Sequence, residues 1–219
     1  MQTKLFVLCM FLTSLATAQT TTTTNENYSW KEENNPFTFE TIKKTPAKGK
    51  YFSVQFMGLT IHPGGGAVRM VQNYPLKLDD KAYLVLNVGA TVAYDVDLSK
   101  KFFLRSSAGF FMDCAYLKSG FLHVGFRWNA LQIGRHTINA GVGPTLMFRE
   151  DWHRFETYND ADFFGKSVYN GWQYRFFPVG GEVEYLYKIS DKWQFQYSVI
   201  PGYPAVITSK IGLRYKINN

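Results

Sequence analysis

Three side chains in this sequence are of the types that acyl transfer requires. A histidine, His62, can take a proton from a hydroxyl nucleophile and return it to a leaving group. An aspartate, Asp113, can orient the imidazole and stabilise its charged form. The neighbouring thiol, Cys114, can carry an acyl group or donate to an oxyanion. Their distance apart in sequence does not join them. They meet only if the segments ending in Thr60-Ile61-His62 and Phe111-Met112-Asp113-Cys114 finish at the same place, beside Phe148-Arg149-Glu150-Asp151-Trp152. Plainer readings stay open. His62 can be an ordinary polar residue at a strand end, and Cys114 a small buried hydrophobe or a free thiol.

The elements that must position them are strands. From about Tyr51 onward the chain alternates with period two. Leu84, Leu86, Val88, Ala90, Val92 and Tyr94 share one face, against Asn87, Gly89, Thr91 and Asp95. Leu122, Val124, Phe126 and Trp128 oppose His123, Gly125, Arg127 and Asn129. The same division recurs over 136–149 and 206–217. Eight strands are predicted, at 51–61, 82–96, 101–113, 120–132, 136–149, 174–188, 192–200 and 206–217. Several have the length of a tilted membrane crossing rather than of an ordinary soluble strand. Short connections at 97–100, 133–135 and 190–191 alternate with mostly longer ones, the pattern of periplasmic turns and external loops. Aromatics make up 17% of the chain, with 14 Tyr, 19 Phe and 5 Trp, which suits aromatic girdles at two interfaces. The predicted fold is all-β: an eight-stranded antiparallel up-and-down transmembrane β-barrel of the outer membrane.

Upstream of the barrel, residues 1–18 read as a signal peptide. Lys4 precedes an apolar run from Leu5 to Leu15, and Ala16-Thr17-Ala18 has the small-x-small form of a cleavage site. Residues 19–49 form a polar lead-in with a threonine run, and 50–219 form the barrel. The formal charge of +7 becomes 7 − 1 = +6 once Lys4 leaves with the signal. The basic residues are dispersed, so anionic lipid is a better partner than nucleic acid. No helix-length apolar stretch follows the signal region. The histidines His62, His123, His136 and His153 fall in different parts of the strand pattern, so no metal site is expected.

Three prolines would each remove a ladder donor. Pro144 interrupts the fifth predicted strand, while Pro178 and Pro201 lie toward the outer ends of the sixth and seventh. The last two predict either a lateral gate between those strands or simply two loop starts.

These pieces resemble the outer-membrane lipid A palmitoyltransferase family (PagP). The resemblance covers roughly residues 50–217. It rests on Leu59-Thr60-Ile61-His62, on Asp113-Cys114 after an aromatic-rich strand, and on Gly125 twelve residues beyond the aspartate. Arg149-Glu150-Asp151-Trp152, Pro178 and Ile200-Pro201-Gly202 complete it. It implies that His62 and Asp113 are catalytic with Cys114 in place of serine, that Gly125 floors an acyl pocket, and that Pro178 and Pro201 flank lipid entry. Arg149, Lys210 and Arg214 are then candidates for meeting phosphate or glucosamine groups. The expected activity is transfer of an acyl chain from a phospholipid to lipid A of lipopolysaccharide, by a monomer without cofactor, inserted by the barrel-assembly machinery. The alternative is a non-catalytic lipid-binding or structural outer-membrane barrel. An outer-membrane esterase would need a His-x-Ser pair on a late strand, and none is found.

Overall fold

The computed structural model describes residues 49–62, 71–156, 158, 164, 168–199 and 207–217. The predicted signal peptide, nearly all of the lead-in, and Pro201 lie outside the described residues. The described strands are β1 (Lys50–Ile61), β2 (Leu84–Asp97), β3 (Phe102–Met112), β4 (Lys118–Ile133), β5 (His136–Glu150), β6 (Val168–Tyr169), β7 (Trp172–Lys188), β8 (Trp193–Val199) and β9 (Ile207–Ile217). β6 is a two-residue arm that pairs only with the start of β7. The other eight pair antiparallel in chain order, and β1 pairs with both β2 and β9, which closes the ring. Among the described residues, closure gives every strand of the ring two neighbours, as hydrocarbon demands of backbone polar groups.

The alternation is inverted relative to a water-soluble protein. Phe56, Val88, Phe110, Val142 and Val183 face outward, each more than half exposed. Arg105, Arg127, Glu182 and Glu184 face inward, each at most 2% exposed. An apolar outer wall around a charged interior is the arrangement that lipid selects and water does not. The chain is an eight-stranded β-barrel of the outer membrane. Its tight turns (98–101, 134–135 and 189–192) lie at one end, with the start of β1 and the end of β9. That end is the periplasmic one by the short-turn rule, and the long connections are external.

Two of the prolines share one irregularity. The β5–β7 register runs to Gly143↔Gly180 and resumes at Thr145↔Phe177, so Pro144 stands opposite Pro178 and Val179. The two residues without an N–H therefore occupy a bulge where the ladder is already interrupted. The extra residue shifts the inward positions of β7 from Gln173 and Phe177 to Gly180, Glu182 and Glu184.

Among the described residues, the β7–β8 ladder runs from Glu184↔Ser198 to Lys188↔Gln194, in the periplasmic half of β7. Residues 200–206, and with them the gate role given to Pro201, lie outside the described residues.

Candidate functional site

The lumen is built from the polar face of each strand and is filled by its own charges. Arg105 Nε and Nη2 donate to the two carboxylate oxygens of Asp95, at 2.6 and 2.8 Å. Arg105 Nη1 also meets Glu184 at 2.5 Å. Arg214 Nε donates to Asp95 at 2.8 Å, and its Nη1 to Gln194 Oε1 at 2.8 Å. Lys210 Nζ donates to Glu182 Oε1 at 2.8 Å, and Arg127 contacts the same carboxylate. Glu184 further accepts from Asn139 and Gln196. Above this layer sits an apolar one of Met57, Phe111, Phe121, Met147 and Phe164, with Phe177 packed against it. Lys210 Nζ lies 5.7 Å from the Phe121 ring centre, where the layers meet. A hydrocarbon tail entering the charged layer would have to displace buried ion pairs.

Gly125 does face inward, but it seats an imidazole. A Cβ added there would collide with His123 Nε2. That ring is held through Nδ1 by Thr145 Oγ1 at 2.7 Å. The space beside Gly125, expected to floor an acyl pocket, is occupied by the His123 ring. Gly125→Met is expected to displace that ring and destabilise the barrel by about 1–3 kcal/mol. Urea unfolding in lipid vesicles checks this, and a midpoint equal to wild type would refute it.

Arg149, Lys210 and Arg214, the headgroup candidates, are likewise engaged by neighbouring side chains. All three are buried within the barrel or its rim. Arg149 stacks on Trp152 and Phe164, each ring centre 4.1 Å from its guanidinium carbon, and donates to Gln173 Oε1 at 3.0 Å. Lys210 and Arg214 belong to the lumen network.

At the external end the sequence-predicted trio shares one rim, but its members serve a loop core. Asp113 is 6% exposed and accepts four hydrogen bonds. Oδ1 takes the amides of Ala115 (3.0 Å) and Leu117 (2.9 Å). Oδ2 takes Ser119 Oγ (3.2 Å) and the indole Nε1 of Trp152 (2.9 Å). Burial pushes this carboxyl above the usual range, while the Leu117 amide, the Trp152 indole and the Arg149 charge pull it back. Cys114 is buried beside it among Tyr74, Ala82, Val85, Ala115, Leu117, Trp152 and Tyr158. Burial, and then the Asp113 charge, push the thiol well up, the opposite of an activated nucleophile. Tyr116 follows in a left-handed conformation at the exposed turn tip.

His62 docks elsewhere in the same cluster. Its backbone N–H donates to Tyr83 O at 2.8 Å, and its ring packs edge-on against Tyr74 with centroids 6.4 Å apart. Tyr74 then packs on Trp152 at 5.6 Å. Among the described residues no hydrogen bond or ion pair joins His62 to Asp113 or Cys114; two aromatic rings connect them instead.

Burial holds the His62 imidazole below its ordinary value of 6.5, against a hydrogen bond with the Ala82 backbone and the charge of Asp79. The neutral ring is thus favoured in the folded rim. Its stabilisation is complete above about pH 6.5 and is lost as pH falls through the lowered folded value. The 71–83 loop is expected to become protease-sensitive on acidification to about pH 5. His62→Gln should flatten that dependence; an unchanged cleavage profile in the variant would exclude His62 as its source.

Sequence reasoning missed Trp152 as the residue that ties the loops together, and Asp95, Arg105, Glu182 and Glu184 as a network. The signal was present in part: Asp95 and Arg127 already fell on predicted lumen faces, with opposite charges.

No family model matches the chain, and a search of curated proteins finds no match. Several solved structures are similar. OprG from Pseudomonas aeruginosa is 13% identical, with TM-score 0.44, over 78% of this chain and 97% of that one. Neisserial surface protein A is 6% identical, with TM-score 0.42, over 77% and 97%. Ail of Yersinia pestis, solved with the heparin analogue sucrose octasulfate, is 10% identical, with TM-score 0.40, over 78% and 97%. These likenesses extend to the fold alone. The resemblance to the lipid A palmitoyltransferase family is accordingly corrected. The similar structures are Ail, neisserial surface protein A and OprG, no family model matches, and the space that the resemblance required holds His123 and ion pairs.

Proposed function

We propose that this protein is a non-catalytic outer-membrane barrel that anchors and presents a packed set of external loops. The observation that carries the reading is the use made of Asp113. All four of its bonds hold the 113–119 turn and Trp152, so the carboxylate serves the loop core. The loop after β1 folds back on β2 through Leu78 N to Leu84 O (2.8 Å) and Leu86 N to Leu76 O (2.9 Å). It meets the next loop through Leu76 N and Cys114 O at 3.4 Å. Tyr116 and Tyr169 stand outward at the tips, 61% and 70% exposed. Aromatic tips on a braced platform are suited to contact with molecules outside the cell.

Acyl transfer is the competing activity, and one assay separates the two. The refolded protein is incubated in detergent with labelled phospholipid and lipopolysaccharide. The expected result is neither acylated lipid A nor free fatty acid. Transfer that disappears in His62→Ala would overturn the proposal and restore the enzymatic reading.

A further inference from the structure

Among the described residues, charge is not spread evenly over the two rims. Among the described residues of the external end, bases sit beside acids: Glu150 lies 3.7 Å from Lys118 and 3.1 Å from Arg154, and Asp79 and Asp80 immediately precede Lys81. At the periplasmic end the same device recurs in all three tight turns. Leu98 is exposed and is followed by exposed Lys100 and Lys101. Ile133 is 65% exposed and is followed by exposed Arg135. Ile189 is half exposed and is followed by exposed Lys192. Lys50 and Lys216 add charge where the first and last strands pair. Among the described residues of this rim, the carboxylates are Asp97 and Asp191, and Asp191 is already paired with Lys188 at 2.7 Å.

From this repetition we infer that the periplasmic rim binds the anionic headgroups of phospholipids in the adjacent leaflet. Each turn pairs an aliphatic side chain, continuous with the lipid-facing wall, with a cation two or three residues on. The first suits the acyl boundary and the second the phosphate layer just beyond it. Trp193 and Tyr215, tilted against each other with ring centroids 4.8 Å apart, mark the interface at that level. Basic groups at an anionic surface act together and are screened by salt. A soluble acidic partner would not need the exposed aliphatic residue at each turn. The inference depends on the barrel and its orientation, and it holds whether or not the external rim is catalytic.

Native mass spectrometry of the full chain, released from bilayers of phosphatidylcholine doped with phosphatidylglycerol, tests it. Wild type is expected to retain phosphatidylglycerol in preference to phosphatidylcholine, less so at high salt. A quadruple variant, Lys100→Gln, Lys101→Gln, Arg135→Gln and Lys192→Gln, is expected to lose that preference by roughly tenfold or more. The matching external variant, Lys77→Gln, Lys81→Gln, Lys118→Gln and Arg154→Gln, is expected to keep it. Equal retention of the two lipids by wild type would overturn the assignment, as would equal losses in the two quadruple variants. Sedimentation of the protein with cell-wall sacculi in competition with phosphatidylglycerol vesicles would also overturn it, giving the surface to a wall polymer instead.

Discussion

Replacing Arg105 with methionine is expected to destabilise the barrel by about 3–5 kcal/mol. The guanidinium is 1% exposed and bridges two carboxylates, Asp95 through a bidentate pair and Glu184 through its remaining nitrogen. Methionine preserves much of the volume but leaves the buried Glu184 carboxylate without a cation in direct contact. Asp95 keeps Arg214, whereas Glu184 keeps only the neutral donors Asn139 and Gln196 among its direct hydrogen-bond partners. The larger part of the loss should therefore trace to Glu184. Adding Glu184→Gln to Arg105→Met should recover a substantial fraction, because it removes the stranded charge while keeping polar contacts. Urea titration in lipid vesicles, followed by tryptophan fluorescence, measures both. A loss below about 1 kcal/mol for the single variant would mean that these pairs behave as hydrated surface pairs, and the filled-lumen description would fail.

Asp113→Ala is expected to loosen the external loops by about 3 kcal/mol while leaving the strands closed. Four donors lose their acceptor at once, two of them backbone amides in the turn that carries Tyr116 in a left-handed conformation. Asp113→Asn separates hydrogen bonding from charge. Its oxygen can still take the Ala115 and Leu117 amides, but its amide nitrogen would face the Trp152 indole N–H. The sign of the charge effect follows from the direction of the carboxyl shift. A group held above its usual value contributes most below its unfolded pKa and loses that contribution as pH rises through the folded one. At neutral pH the buried charge is therefore a cost, and asparagine is expected to lose less than half of what alanine loses. Hydrogen exchange over 113–119 and near Trp152 reads the effect locally. Equal protection in Asp113→Ala and wild type would remove the aspartate from its bracing role, and with it the observation behind the non-catalytic proposal.

The barrel itself was legible because its cause is local. Membrane strands must alternate, and the alternation of Leu84 through Tyr94 or of Leu122 through Trp128 is visible without any partner. The predicted strand ends fall within a few residues of the described ones. Where they differ, loop chemistry explains it. The second strand starts at Leu84 rather than at 82, since Ala82 takes a left-handed conformation and is fully buried in the rim. The sixth starts at Trp172, extended by its small hairpin with Val168–Tyr169. The prolines were legible as interruptions, but not as one bulge holding Pro144 opposite Pro178, since register between strands far apart in sequence depends on both chains.

The candidate site was legible only as a location. Strand direction sufficed to bring His62, Asp113 and Cys114 to one rim, because up-and-down connectivity decides which ends coincide. What each residue does there depends on neighbours supplied by other loops. Trp152 comes from 39 positions beyond Asp113 and claims its carboxylate, and Tyr74 separates His62 from it. Gly125 shows the same division. Its inward direction follows from parity, yet whether the missing side chain leaves a cavity or a seat depends on His123 and on Thr145 across the ladder. Period-two patterning thus determined topology, sidedness and membrane placement, because each strand meets lipid on one face independently of the others. Only the tertiary structure decided the contents of the lumen and the duties of the rim, because side chains from all eight strands compete there for the same space and the same hydrogen bonds.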